Sequence, residues 1–412
     1  MFDLFKLHSD KDTPNGWIWT EFNSDRLKDE YFKLLKRDGQ DKIALIISKN
    51  LKCGFSTIEK HLIRLKYSEK ESSLPLPFII ELLKIINKNN LKEHIIKNMH
   101  FFISKNSVTK QKTRAVKYLN INLTKIIGAH ISDGYLQKVD NGYRIKICDG
   151  RPEIIKKYGK LIEETFSIKP IIRFYEIDNA WVCWFNNKII GRYIENIFEI
   201  PSGKKSYIVR EPRIIKNSPL KIRNAFLSGM LNFDGCVKAS GIVSLTSMSK
   251  GLIEDAKDIF NMNNIKTNIG YNKNKDSWLI ETCFSRDTNN HKKLLNFFEK
   301  ESWKYNRLKF FINKNYRYSI SELDCLFPKH YRSKIGLLDV YNSINNIKSG
   351  NVIDITNELN SKFNVSNFTI YKYLYILNKS NLVYKTYERK TDGKNYWREV
   401  IYNMNYENRS DI

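Results

Sequence analysis

The chain has 412 residues, 42% of them hydrophobic, with 70 lysines and arginines against 44 aspartates and glutamates, a formal net charge of +26. Such a length suggests two to four domains with real cores, and such a charge points to a polyanion, most often nucleic acid, as partner. No apolar stretch approaches the roughly 18 residues of a membrane span, and the start, MFDLFKLHSDKD, has no basic region leading into an apolar core, so neither membrane insertion nor a signal peptide is expected.

Richness in Ile and Asn beside Lys also fits codon use in an AT-rich genome, which raises lysine without a functional cause. The six cysteines (53, 148, 183, 236, 283 and 325) form no C-x-x-C pair, and the histidines do not cluster. A zinc site is therefore not expected, reduced thiols are, and the location read from this is cytoplasmic.

In chain order, residues 1–110 read as short helices joined by charged linkers. QDKIALIISKNLKCGFSTIEKHLIRL has an apolar stripe, a turn at Cys53-Gly54 and Ser56 as N-cap of a second helix. LPLPFIIELLKIINK follows with Pro77 in its first turn. Helix, glycine turn, helix is the outline of a helix-turn-helix or of any small bundle. SKNSVTKQKTRAVK, 104–117, is polar and basic and reads as a linker.

Residues 118–312 mix the two periodicities twice. KIIGAHISDGYL (125–136) is helical and stops at Asp133-Gly134; YRIKICD alternates as a strand, PEIIKKYGKLIEETF is helical, PIIRFYEI and AWVCWFN are strands, and KIIGRYIENIF is helical. AFLSGMLNFDGCV (225–237) stops at Asp234-Gly235, and the order recurs through GIVSLTSM, a helix capped by Ser249, NIKTNIGY, SWLIETCF and NNHKKLLNFFEK. The pattern is a duplicated αββαββα unit of an α+β fold. Residues 333–405 read as three helices, the third at about 366–379, and a hairpin turning at Asp392-Gly393. That order is winged-helix-like. Four segments result: 1–117 helical with its linker, 118–200 repeat one, 201–312 linking loop and repeat two, and 313–412 winged-helix-like.

Gly128 and Gly229 stand at the same offset before Asp133 and Asp234. A glycine inside a helix costs about 1 kcal/mol against alanine, so a reason is needed, and close approach of two helices, flanked by Ala129 and Ser228, is a good one. Parallel packing then brings both acids together at two helix C-termini, with Gly134 and Gly235 as caps. Like charges at negative dipole ends repel. A divalent cation removes the conflict, and carboxylates, carbonyls and water are what Mg²⁺ prefers.

IIGAHISDG (126–134) and LSGMLNFDG (227–235) resemble the signature of the LAGLIDADG homing endonuclease family, of the two-motif, monomeric type. IPSGKKSYIVREPRIIKNSPLKIRN, between them, resembles the lysine-rich loop and charged lead-in of archaeal and intein-borne members. The resemblance covers about 118–312. It implies a pseudo-twofold saddle whose two sheets lie along the DNA major groove. It also implies catalytic, metal-binding Asp133 and Asp234, each helping to cut one strand of double-stranded DNA with Mg²⁺ (or Mn²⁺). Lys205 matches the family's loop lysine, with Lys204 beside it; Lys309 is the candidate counterpart in repeat two, and Lys238 another. The departures are Ile131 and Asn232 at the often acidic sixth position, and Phe233 at the usually small seventh. His130 reads as a packed residue and not a ligand.

Along the strands Arg144 and Lys146 share a face, as do Arg173 and Tyr175, Ser244 and Thr246, and Lys266 and Asn268. Such polar sets can face DNA while the apolar sets pack. With two motifs a monomer suffices. The alternative is a non-cleaving transcription regulator or an intron-splicing maturase on the same fold. Self-splicing needs a nucleophilic first residue and a His-Asn end, so with Met1 and the end YENRSDI an intact intein is not expected.

Overall fold

The structure is a computed structural model that describes residues 1–104, 112–140, 142–283, 288–312, 317–329, 334–360, 363–391 and 396–405. Its contacts divide into two compact units, residues 1–235 with 245–280, and residues 236–244 with 281–412. Among the described residues no helix is long and apolar enough to cross a membrane.

The N-terminal part of the first unit departs from the all-helical expectation. Helices Asp25–Asp38, Gln40–Leu51, Phe55–Tyr67, Leu76–Ile86 and Asn89–Asn98 are present. They accompany an antiparallel four-stranded sheet in the order Glu71–Pro75, Ile18–Asn23, Met99–Ser104, Thr113–Arg114. These strands are short, and Ile18–Asn23 does not alternate, since Ile18, Trp19, Thr20 and Phe22 are all buried. What defines them is distant pairing, such as Trp19 opposite Ile103. The turn before Phe55 also differs. Lys52 takes the left-handed conformation (φ 49°), and the N-cap is Gly54, not Ser56, because the helix begins one residue before that serine. Pro77 does lie in the first turn of its helix. Of the basic stretch 104–117, residues 105–111 lie outside the described residues, and Thr113–Arg114 is a strand.

The two repeats have the expected element order. Repeat one runs Ile121–Asp133, strands Gly134–Val139 and Gly142–Asp149, helix Pro152–Phe166, strands Ile171–Tyr175 and Ala180–Asn186, and helix Lys188–Arg192. Repeat two runs Leu220–Phe233, strands Gly235–Val237 and Val243–Ser247, helix Lys250–Met262, strands Thr267–Asn272 and Ser277–Thr282, and helix Thr288–Leu295. In each sheet the strands lie in the order first, second, fourth, third. The Pro152–Phe166 helix buries Ile154, Ile155, Tyr158, Leu161 and Ile162 at helical spacing. Each such side chain contributes about 1.5–3 kcal/mol of burial. Ser249 caps its helix as read, accepting from Leu252 N.

An ionic anchor fastens the chain's start to repeat one. Asp12 accepts from Lys188 Nζ at 2.8 Å and from both terminal nitrogens of Arg192 at 2.6 and 2.7 Å. Phe2 N donates to Lys117 O at 2.8 Å.

The second unit contains helices Trp303–Ile312, Ile320–Leu326, Leu337–Ile347, Val352–Asn360 and Asn367–Lys379. Strands Val383–Thr391 and Tyr396–Met404 pair antiparallel, with Val383 opposite Met404. The turn read at Asp392-Gly393 lies outside the described residues. A two-residue strand that the sequence reading lacked, Ser349–Gly350, pairs with Asn403 and Tyr402 on the other edge of Tyr396–Met404. The core of this part includes Leu337, Val340, Ile344, Ile355, Ile370 and Leu374, all fully buried.

Candidate active site at the paired helix ends

The helices Ile121–Asp133 and Leu220–Phe233 pack directly on each other through the two glycines. A methyl built on Gly128 would strike the carbonyl of Phe226 and lie 3.1 Å from Gly229 Cα. One built on Gly229 would lie 2.9 Å from Gly128 Cα and 2.9 Å from Ala129 N. Neither helix can carry a β-carbon there without separating. Ser132 Oγ lies 3.5 Å from the Met230 carbonyl, so the small seventh residue of the first motif also meets the partner helix.

Phe233, its bulky counterpart in repeat two, reaches a residue of repeat one. Its ring packs edge-on against Tyr158 of the Pro152–Phe166 helix, with centroids 4.8 Å apart. The glycines after the acids are not left-handed caps as expected. Gly134 has φ −89°, and Asp234 itself is the C-cap of its helix. They are glycines because helix passes straight into strand. A methyl on Gly235 would lie 2.7 Å from Leu231 Cα, and one on Gly134 would strike His130.

Asp133 closes one helix and Asp234 caps the other, both next to the first strand of a sheet. Lys205 joins them from the linking loop. It is buried, and its Nζ donates to the Ile131 carbonyl at 2.9 Å and to the His130 carbonyl. The His130 carbonyl also accepts from Gly134 N, so the amine adds a further donor at this helix end. Burial draws the Lys205 pKa down to about 8, while the carboxylates of Asp234 and Asp133 both pull it upward. One amine thus sits within electrostatic range of both acids. Lys204, Lys205, Asp234, Tyr135, Thr246 and Ser277 line a common cleft.

His130 is fully buried, and neither ring nitrogen has a hydrogen-bond partner among the described residues. Burial, with Lys205 adding to it, holds the ring well below its usual pKa and therefore neutral. It is a packed residue, as expected.

The donors at this end are hard oxygens: two carboxylates and nearby carbonyls. Among the described residues there is no cluster of three or more His, Cys, Asp or Glu to form a closed cage. Mg²⁺ keeps several waters and needs only one or two carboxylates from the protein. The donor chemistry therefore fits that ion.

Of the other residues named from sequence, Arg144 and Arg173 are exposed on their strands, and Lys146 is half-buried. Arg144 and Lys146 alternate with buried Tyr143, Ile145 and Ile147, so the face reading holds. Lys266, Asn268 and Thr246 are exposed, but Ser244 is buried. Lys238 is paired with Glu281. Lys309 stands exposed on Trp303–Ile312, in the unit that does not contain the two acids.

Sequence reasoning missed the ionic scaffold behind the Lys205 loop. Asp255, 1% exposed, accepts from Arg210 at 3.1 Å, Lys216 at 2.8 Å and Glu211 N at 3.0 Å. Glu211 takes two hydrogen bonds from Arg223 at 2.9 and 2.6 Å. Ser249 Oγ donates to Val209 O at 2.6 Å. The signal was present, since Asp255 falls on the apolar stripe of its helix with Leu252, Ala256 and Ile259.

Two packed acid-ended helices each lead into a sheet of the same strand order. The family model described as LAGLIDADG-like domain matches residues 221–301, so the chain carries that domain over its second repeat. Among proteins of curated function none matches this sequence. Among solved structures, the homing endonuclease I-DmoI in complex with DNA and Mn is 18% identical, covering 40% of this chain and 91% of that one, with a TM-score of 0.32. The homing endonuclease I-WcaI bound to its DNA recognition sequence is 16% identical, covering 45% and 87%, with a TM-score of 0.34. Full-length DUF199/WhiA from Thermatoga maritima is 10% identical, covering 63% and 91%, with a TM-score of 0.30.

Proposed function

We propose that this protein is a site-specific endonuclease of double-stranded DNA that works as a monomer, because one chain supplies both acids. The observation that carries the reading is the buried Lys205 amine bonded to the carbonyls of Ile131 and His130, where two glycine-packed helices end in Asp133 and Asp234. A binding protein needs no pair of carboxylates, which repel phosphate.

Asp133 and Asp234, with helix-end carbonyls, would hold Mg²⁺ or Mn²⁺. A bound ion of this kind supplies Lewis acidity and an activated water. Lys205 closes the first helix end and lends positive charge between the carboxylates. Lys204 lies in the same cleft as a phosphate contact. Arg144, Lys146 and Arg173 are the readout and backbone contacts of the first sheet, and Lys238 serves the second once freed from Glu281.

The test is cleavage of a randomised duplex library with Mg²⁺ by wild type, Asp133→Asn and Asp234→Asn. Discrete double-strand cuts lost in both variants support the reading. A second reading, a DNA-binding regulator or a maturase without cleavage, is favoured by the second unit, whose helix, strand, two helices and hairpin follow winged-helix order. Specific retention without cuts, unchanged in the variants, would establish that alternative.

A further inference from the structure

The helix Asn367–Lys379 of the second unit has two unlike faces. Ile370, Tyr373, Leu374, Ile376 and Leu377 point inward and are buried. Outward, Phe368 is 83% exposed and Tyr371 53%, with exposed Lys372 beside them, while the Tyr375 ring stacks on Phe311 with centroids 6.5 Å apart. That spacing is a single stripe along one side of the helix. Exposed apolar patches of this kind mark interaction surfaces.

Charge selects the occupant. The helix carries two lysines and no acid, within a chain of net charge +26. On the strand Val383–Thr391 that follows this helix, Tyr384, Tyr387 and Arg389 are exposed as well. A convex basic helix fits the major groove of a duplex.

Groove-reading helices ordinarily present Arg, Asn or Gln to base edges. Here the short polar side chains are engaged within the fold. Asn367 Oδ1 accepts from Thr356 at 2.7 Å, Asn378 Nδ2 donates to Val383 O at 3.0 Å, and Thr369 meets Ser366 at 3.2 Å. What remains outward is aromatic, and the apolar group of the major groove is the thymine C5-methyl.

We propose that Phe368 and Tyr371 read thymine methyls in the major groove of a T-rich duplex flank, with Lys372 on the phosphate backbone. The inference rests on the DNA-binding part of the proposed function and adds what this helix recognises. The experiment uses the full chain. Duplexes selected from a randomised library are remade with deoxyuridine for thymidine, which keeps pairing and removes only the methyl. Wild-type affinity is expected to fall about four-fold for each methyl contacted. Phe368→Ala with Tyr371→Ala should bind both duplexes alike. Equal wild-type binding of the two duplexes, or discrimination that survives in the double variant, overturns the proposal. A chain that selects and cuts a duplex but ignores the methyl loses only this inference. One that selects no duplex loses the endonuclease reading as well.

Discussion

Lys205 Nζ donates to the carbonyl of Ile131 at 2.9 Å, so the linking loop closes the helix that ends in Asp133. The contact ties the loop between repeats to the acid-bearing end of the first one. It also sets the protonation of the amine, because the same burial that makes the contact draws the Lys205 pKa to about 8.

This has a pH consequence with a definite sign. The folded chain binds the Lys205 proton less tightly than the unfolded chain, whose lysine titrates near 10.5. Between about pH 8 and 10.5 the unfolded state holds more protons, so stability rises with pH by up to about 3 kcal/mol from this group. Urea melts of wild type and Lys205→Met at pH 7 and pH 10 should show the wild type gaining relative to the variant. An unchanged difference would mean the amine is solvated.

The seam between the motif helices gives a second test. In an open helix Gly→Ala stabilises by about 1 kcal/mol. At Gly229 the added methyl meets Gly128 Cα at 2.9 Å, so overpacking reverses the sign. Gly229→Ala should destabilise by about 3 kcal/mol, read by chemical denaturation.

Arg223 and Glu211 are both buried and bonded twice. Arg223→Ala leaves the carboxylate stranded, and a loss of about 3–5 kcal/mol is expected. Arg223→Met combined with Glu211→Leu should recover most of it. Equal losses in the single and double variants would contradict the ion-pair account.

The anchor at Asp12 behaves in the opposite sense to Lys205. Burial works against its charge, but hydrogen bonds from Arg192 and Lys188 prevail and hold the carboxyl below its usual range. Its contribution is complete above the unfolded carboxylate range and is lost as pH falls through the lowered folded value. Wild type should therefore exceed Asp12→Asn in melting temperature at pH 7, with the gap closing below about pH 4.

Arg144 and Arg173 belong to the exposed set of the first sheet. If each contacts phosphate, either alanine variant should weaken duplex binding for all sequences and reduce the salt slope by about 1. Filter binding across a salt series measures both.

Much of the candidate site was readable in the chain itself. Paired glycines and acids at equal offsets are local signals, because helical and strand periods are set by neighbours three, four or two residues away. The duplicated unit, the Ser249 cap and the Arg144–Lys146 face followed from that. Other features depend on distant partners. The strand Ile18–Asn23 exists because Met99–Ser104 lies beside it, and Ser349–Gly350 because Tyr402 and Asn403 do. Phe233 departs from the small residue usual at its motif position, and the contact with Tyr158 that gives its ring a place is a tertiary one. The burial of Lys205, and the Asp255 and Glu211 network that braces its loop, were likewise decided by tertiary packing. A charged side chain of given identity can be solvated or buried, and only the groups that surround it determine which.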